Sequence, residues 1–146
     1  RRVRKEYLAL VWGVPKKTRG KIDLPIGRNP RNRYRMAVIS SGKSAVTEYS
    51  VLWSRSGFSL VRCRLVTGRT HQIRVHMKHI GCPLVGDQLY APRRKTPHGL
   101  DRLFLHSWIL GFDHPRSGEP LLFRSFLHQE LRSFLGEASP RDRERP

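Results

Sequence analysis

Apolar residues fill both alternating faces of Lys5-Glu6-Tyr7-Leu8-Ala9-Leu10-Val11-Trp12: Tyr7, Ala9 and Val11 point one way, Leu8, Leu10 and Trp12 the other. The spacing predicts a strand covered on both sides, ended by Gly13 and Pro15. Residues 13–44 are rich in Gly, Pro, Asn, Arg and Lys and read as a long loop, broken only by the short Ile22–Ile26 piece. Ala45–Trp53 and Phe58–Val66 predict two further strands around the turn Ser54-Arg55-Ser56-Gly57, with Val61, Cys63 and Leu65 on a core face and Arg62 and Arg64 on a basic one. Thr67-Gly68 breaks the second of these. Thr70 then stands where a residue would cap a helix carrying Ile73, Met77 and Ile80 at helical spacing, and Gly81 and Pro83 stop it. After an irregular stretch over 86–103, Leu105–Phe112 and Leu121–Phe126 predict a second strand pair across the turn at His114–Glu119, and His128–Leu135 a short terminal helix. The polar tail at 138–146 is expected to be disordered.

A chain of 146 residues is one modest domain, and its charge changes the picture. Lys and Arg number 29 against 11 Asp and Glu, a formal net charge of +18. Over residues 1–35 twelve basic side chains face only Glu6 and Asp23. Self-repulsion on this scale opposes folding unless a polyanion screens it, and the excess of Arg over Lys suits planar, bidentate phosphate recognition. Nucleic acid is the expected partner. RNA is preferred to DNA because basic strands and loops with interspersed aromatics suit irregular targets, and no helix-turn-helix, zinc finger or basic zipper is visible. No membrane partner is expected: no run approaches eighteen apolar residues, and the basic residues lie outside any amphipathic helix. Two cysteines, Cys63 and Cys82, are too few for a disulfide framework, which fits a reducing compartment.

The chemistry concentrates between Thr67 and Pro83. From Tyr49 through Gly86 there is no carboxylate, while Arg55, Arg62, Arg64, Arg69, Arg74 and Lys78 all fall inside that interval. The start of the helix adds backbone N–H groups to Arg69 and Thr70, a favourable place for phosphate. Arg74 follows Ile73 one turn after Thr70, so packing of the helix can turn it inward, and a buried guanidinium needs a partner. That partner is Asp87, a more distant acid, bound RNA, or a carboxylate outside these residues. His71, His76, His79 and Cys82 invite a metal reading, but their spacing matches no strong zinc signature and their surroundings are cationic, so no metal is expected.

These residues resemble the RluA/RluD-type pseudouridine synthases, a family that isomerises uridine in ribosomal and transfer RNA. Lys5-Glu6-Tyr7-Leu8-Ala9-Leu10-Val11 is similar to the family's Lys-x-Tyr strand, and Gly68-Arg69-Thr70-His71-Gln72-Ile73-Arg74-Val75-His76 to its most recognisable motif. Pro83–Asp87 through Tyr90, Leu105-His106 and the His114-Pro115 to Glu119-Pro120 turn follow in the expected order. The resemblance implies an α+β fold over residues 1–137, a mixed and largely antiparallel sheet flanked by helices around a central RNA cleft. It implies a reaction that breaks the bond between ribose and uracil nitrogen, turns the base and rejoins it through carbon, with neither metal nor organic cofactor. Large-subunit ribosomal RNA is the first expected substrate and transfer RNA the second, bound as a stem-loop by a cytoplasmic monomer.

Carried over by position, Tyr7 matches the tyrosine that packs on the uracil and is the candidate to take the proton from the base carbon. Arg74 matches the basic residue paired with the family's essential aspartate. Without the resemblance, Tyr7 reads as a core strand aromatic and Arg74 as a solvated helix arginine. Arg62, Arg64, Arg69, Thr70, His71, Gln72 and Lys78 are the expected RNA contacts. The departure is the family's Arg-Leu-Asp-x-x-Thr-Ser-Gly motif, which bears the essential aspartate: none of Asp23, Asp87, Asp101, Asp113 or Asp142 sits in such a context. In the family that motif precedes the Lys-x-Tyr strand, so a chain cut upstream of Arg1 is expected. Residues 1–146 alone are accordingly expected to be inactive, and supplying the upstream segment to restore isomerisation. Activity of residues 1–146 alone in a pseudouridine assay would refute this. The rival reading is a non-catalytic RNA-binding module, which explains the charge equally well.

Overall fold

A computed structural model describes residues 3–136. Its centre is a six-stranded sheet in the order β2-β5-β6-β1-β7-β8, built from β1 (Arg4–Trp12), β2 (Arg19–Asp23), β5 (Val46–Arg55), β6 (Phe58–Leu65), β7 (Leu105–Asp113) and β8 (Pro120–Arg124). The pair β3 (Ile26–Arg28) and β4 (Met36–Val38) forms a separate hairpin. Every strand pairing among the described residues is antiparallel, in keeping with the largely antiparallel sheet that the resemblance implied. The helices are α1 (Gln72–His79) and α2 (Gln129–Leu135). The tail expected to be disordered at 138–146 lies outside the described residues.

The first strand is covered on both faces, as its pattern demands. Leu8 and Leu10 join Leu60, Phe104, Ile109 and Leu131 in one core, roofed by α2. Ala9 and Val11 join Val61, Cys63, Ile73 and Met77 in a second core beneath α1. Each such buried Leu, Ile or Met contributes roughly 1.5–3 kcal/mol through removal of apolar surface from water.

Three expectations are corrected. Residues 13–44 are not one loop: β2 is a sheet edge in which Ile22 alone is buried, so it carries no run of alternating apolar residues to betray it. The turn between β5 and β6 is shorter than the four residues expected, because β5 runs on through Arg55 to leave only Ser56 and Gly57, at φ 51° and 81°. This pair of left-handed residues matches the right-handed twist of the flanking strands. Thr70 does not cap α1. The N-cap is His71, at φ 55° and with no side-chain cap bond, while the Gln72 side chain folds back to accept from the Arg69 N–H at 2.9 Å.

Helix α1 is buried on two sides. Ile73 and Met77 face the sheet, and Val75 faces the β3–β4 hairpin alongside Ile26 and Tyr90. This leaves Gln72 and His76 inside the protein, at 2% and 0% exposure, where their polar groups need partners. They find them in one chain of hydrogen bonds. Gln72 Nε2 donates to the Val46 carbonyl at 2.8 Å and to Thr47 Oγ1 at 3.0 Å; Thr47 Oγ1 bonds His76 Nδ1 at 2.8 Å; His76 Nε2 bonds the Leu24 carbonyl at 2.9 Å. Since a carbonyl only accepts, the proton sits on Nε2, and Nδ1 accepts from Thr47.

The neutral His76 makes stability depend on pH. Burial, the largest cause, pushes its pKa below 6.5. Below about pH 6.5 the unfolded chain takes up a proton that the folded protein resists, so the unfolding free energy is expected to fall as pH drops from about 6.5 toward 5. Above 6.5 this residue adds no slope. His71, lowered by burial first and then by Arg74, acts in the same direction. Urea titrations at several pH values check the slope, which is expected to shrink, not vanish, in His76→Gln.

Candidate active site

The two motif segments meet at the ends of β1 and β6. Lys5 and Tyr7 alternate with Glu6 and so share the α1 face of the sheet with Ala9. The Lys5 ammonium lies over Gly68, its Nζ 2.8 Å from where a Cβ would stand. Both segments border a cavity of about 800 Å³ that also takes in Val66, Phe112 and Leu122. Tyr7 sits one position along. It is half-buried against the core beneath α1, and its hydroxyl makes no hydrogen bond among the described residues. The register of β1 against β7 slips between Glu6 and Tyr7, with Trp108 of β7 as the extra residue, so the alternation along β1 is kept.

Arg74 is held firmly. Its Nε and Nη2 donate to the two carboxylate oxygens of Asp87, each at 2.8 Å, and its guanidinium stacks on the Tyr90 ring at 4.9 Å. Asp87 in turn accepts from the backbone N–H groups of Leu89 and Tyr90. Burial by itself would raise the Asp87 pKa, but the hydrogen bonds from Arg74 and Tyr90 outweigh it and the carboxyl lies below its ordinary value. The Asp87 hydrogen bond likewise keeps Arg74 charged. The Tyr90 hydroxyl completes the cluster, accepting from the Met36 N–H at 2.9 Å and bonding His71 Nδ1 at 2.7 Å.

Among the partners open to Arg74, Asp87 is therefore the carboxylate it meets. The guanidinium is not left without a counter-charge within this chain, and that ground for a carboxylate supplied from elsewhere falls away. Nη1 remains without a hydrogen-bond partner among the described residues. Tyr7 and Arg74 share no hydrogen bond or ring contact: the first lies under α1, the second on the flank turned to Asp87.

The expected RNA contacts divide between two faces of the sheet. Arg69, exposed Thr70 and half-buried His71 stand at the start of α1, where Arg69 Nε donates to the Ser44 carbonyl. Arg62 and Arg64 lie on the opposite face. Arg62 is paired with buried Glu6 at 2.7 Å through Nε and packs over Trp108, whereas Arg64 is exposed. Lys78 is exposed near Tyr90. Gln72 is a correction. Its amide oxygen accepts from Thr67 and Arg69 and its nitrogen serves Val46 and Thr47, so it is spent inside the fold and presents nothing to RNA. Lys5 and Tyr90 were passed over as site residues, although Lys-x-Tyr and Asp87-x-x-Tyr90 were both visible as spacings.

The profile of the RNA pseudouridylate synthase family matches residues 1–79. The chain belongs to that family. Among its relatives is an uncharacterized RNA pseudouridine synthase of Chloroflexus aurantiacus, 50% identical over 141 residues that cover 97% of this chain and 44% of the relative. A ribosomal large subunit pseudouridine synthase D of Nitrosomonas europaea is 45% identical, covering 92% of this chain and 41% of the relative. The chain thus spans less than half the length of these curated relatives. Of solved structures, the human RNA pseudouridylate synthase domain containing 1 superimposes with a TM-score of 0.71 at 33% identity, over 85% of this chain and 54% of that one. The α+β architecture with its large antiparallel sheet is the pseudouridylate synthase fold.

Proposed function

We propose that the intact protein isomerises uridine to pseudouridine in RNA. The observation that carries this reading is the convergence, in a chain of this family, of the Lys5 end of the Lys5-x-Tyr7 strand and the Thr67–Gly68 end of the second motif on one cavity. In the proposed mechanism basic loops and the α1 start grip a stem-loop while one uridine leaves its stack, an unstacking that costs a few kcal/mol and is offset by phosphate contacts. Tyr7 packs on the base with its unbonded hydroxyl, the candidate to take the proton from the base carbon. The Arg74 guanidinium, fixed by Asp87 and Tyr90, offers Nη1 to the aspartate that the reaction requires, which residues 1–146 do not contain in the family's context.

Large-subunit ribosomal RNA is the preferred substrate, because the relative from Nitrosomonas europaea is named for it; transfer RNA is second. The protein works as a monomer in the cytoplasm, a setting that suits two free, buried cysteines, with neither metal nor organic cofactor. Incubating the intact protein with unmodified large-subunit ribosomal RNA, and separately with unmodified transfer RNA, is expected to yield carbodiimide-reactive pseudouridine in the first. RNA binding without pseudouridine in either would leave a non-catalytic binding module.

A further inference from the structure

A second cavity, of about 260 Å³, opens between the β3–β4 hairpin and the outer end of α1. Its floor is aliphatic, from Met36, Val38 and Val75, with Tyr90 at one side. Arg35, Lys78 and His79 supply its charge, and no carboxylate among the described residues lines it. The Arg35 Nε is buried and has no hydrogen-bond partner among the described residues. Lys78 stands 5.9 Å from the Tyr90 ring centroid, which keeps its ammonium at the mouth.

We infer that this cavity binds one nucleotide of the RNA, at a position other than the isomerised uridine. The inference rests on the reading of RNA as the substrate and adds a subsite to it. The volume is below the roughly 300–1,000 Å³ typical of clefts for drug-sized ligands, which suits the base of a single nucleotide with its phosphate at the mouth. A bare phosphate would explain the cations but not the apolar floor. A nucleotide explains both: its base face lies on Met36, Val38 and Val75, and its phosphate meets Lys78 and His79. Unstacked loop nucleotides are the parts of RNA that present a free base face to such a surface.

Photocrosslinking of the intact protein to a 4-thiouridine-substituted RNA 15-mer of mixed sequence tests this. Peptides carrying Met36–Val38 or Val75–His79 are expected to be labelled, and millimolar adenosine 5′-monophosphate to suppress that label. The label at these peptides is expected to fall about tenfold in Val38→Trp, which fills the cavity, and severalfold in Lys78→Ala, whose exposed site leaves the fold intact. Label confined to peptides elsewhere, with RNA still bound, overturns the subsite and spares the RNA reading. Suppression as strong by inorganic phosphate or polyglutamate at matched ionic strength also overturns it, since the cavity is then a general anion site. Absence of RNA binding altogether defeats the underlying reading and the subsite with it.

Discussion

The Arg74→Ala variant of the intact protein is expected to lose at least about a hundredfold in kcat while its RNA Kd changes less than about threefold, a loss of the size seen when one preorganised charged donor is removed. The reason is geometric. Two of the three guanidinium nitrogens are committed to Asp87 and the plane is pressed on Tyr90, so only Nη1 is left for an anion at the site. A donor held this way needs no reorganisation when negative charge must be stabilised, and it sits too far inside, at 17% side-chain exposure, to serve as a phosphate grip. Arg74→Lys is not expected to rescue, because one ammonium cannot bridge both Asp87 oxygens and still present a third donor. Arg69→Ala is expected to give the opposite pattern, weaker binding with kcat nearly kept. Single-turnover rates and Kd values measured on the same RNA separate the two. A loss of affinity in Arg74→Ala equal to its loss in rate would reduce Arg74 to a binding residue.

How much of this was legible in the sequence follows from where the signals lie. Strand β1, the β5–β6 hairpin and helix α1 announced themselves because their apolar residues keep one period over many positions. Strands β2, β3 and β4 did not: each is short or polar, and each owes its place to pairing, Ile22 opposite Thr47 and Ile26 opposite Val38. In the site, Tyr7 and Arg74 were marked by motif. The assignment of Gln72 to RNA failed for a physical reason, since a polar residue in a motif reads the same whether it faces a ligand or closes a buried network. What decided it was the second packing face of α1, supplied by a hairpin that the pattern had shown as loop. The Arg74–Asp87 pair lies thirteen residues apart, and Asp87 follows directly on the turn at Gly86.

That turn gives the largest expected effect on stability. Gly86 has φ +81°, and a Cβ built there would lie 2.3 Å from the Arg102 carbonyl oxygen and 2.9 Å from its carbon. Both obstacles are backbone, so no side chain can swing away to make room. Gly81, at φ +88°, has nothing among the described residues within 4 Å of such a Cβ. The two glycines therefore separate conformational strain from steric exclusion. Gly81→Ala is expected to cost about 1–2 kcal/mol, the penalty of a left-handed backbone for an L-residue. Gly86→Ala bears the same penalty and must also move the segment carrying Leu103 and Phe104, the latter fully buried in the core under α2, so its cost is expected to exceed about 4 kcal/mol. The displacement also reaches Asp87, the next residue. A Gly86→Ala protein that still folds at low temperature is thus expected to lose turnover as Arg74→Ala does, whereas Gly81→Ala keeps it. Urea unfolding of both variants, with kcat measured at 10 °C, checks the pair; equal destabilisation by the two substitutions would mean that the Arg102 backbone yields and that the turn does not set the position of Asp87.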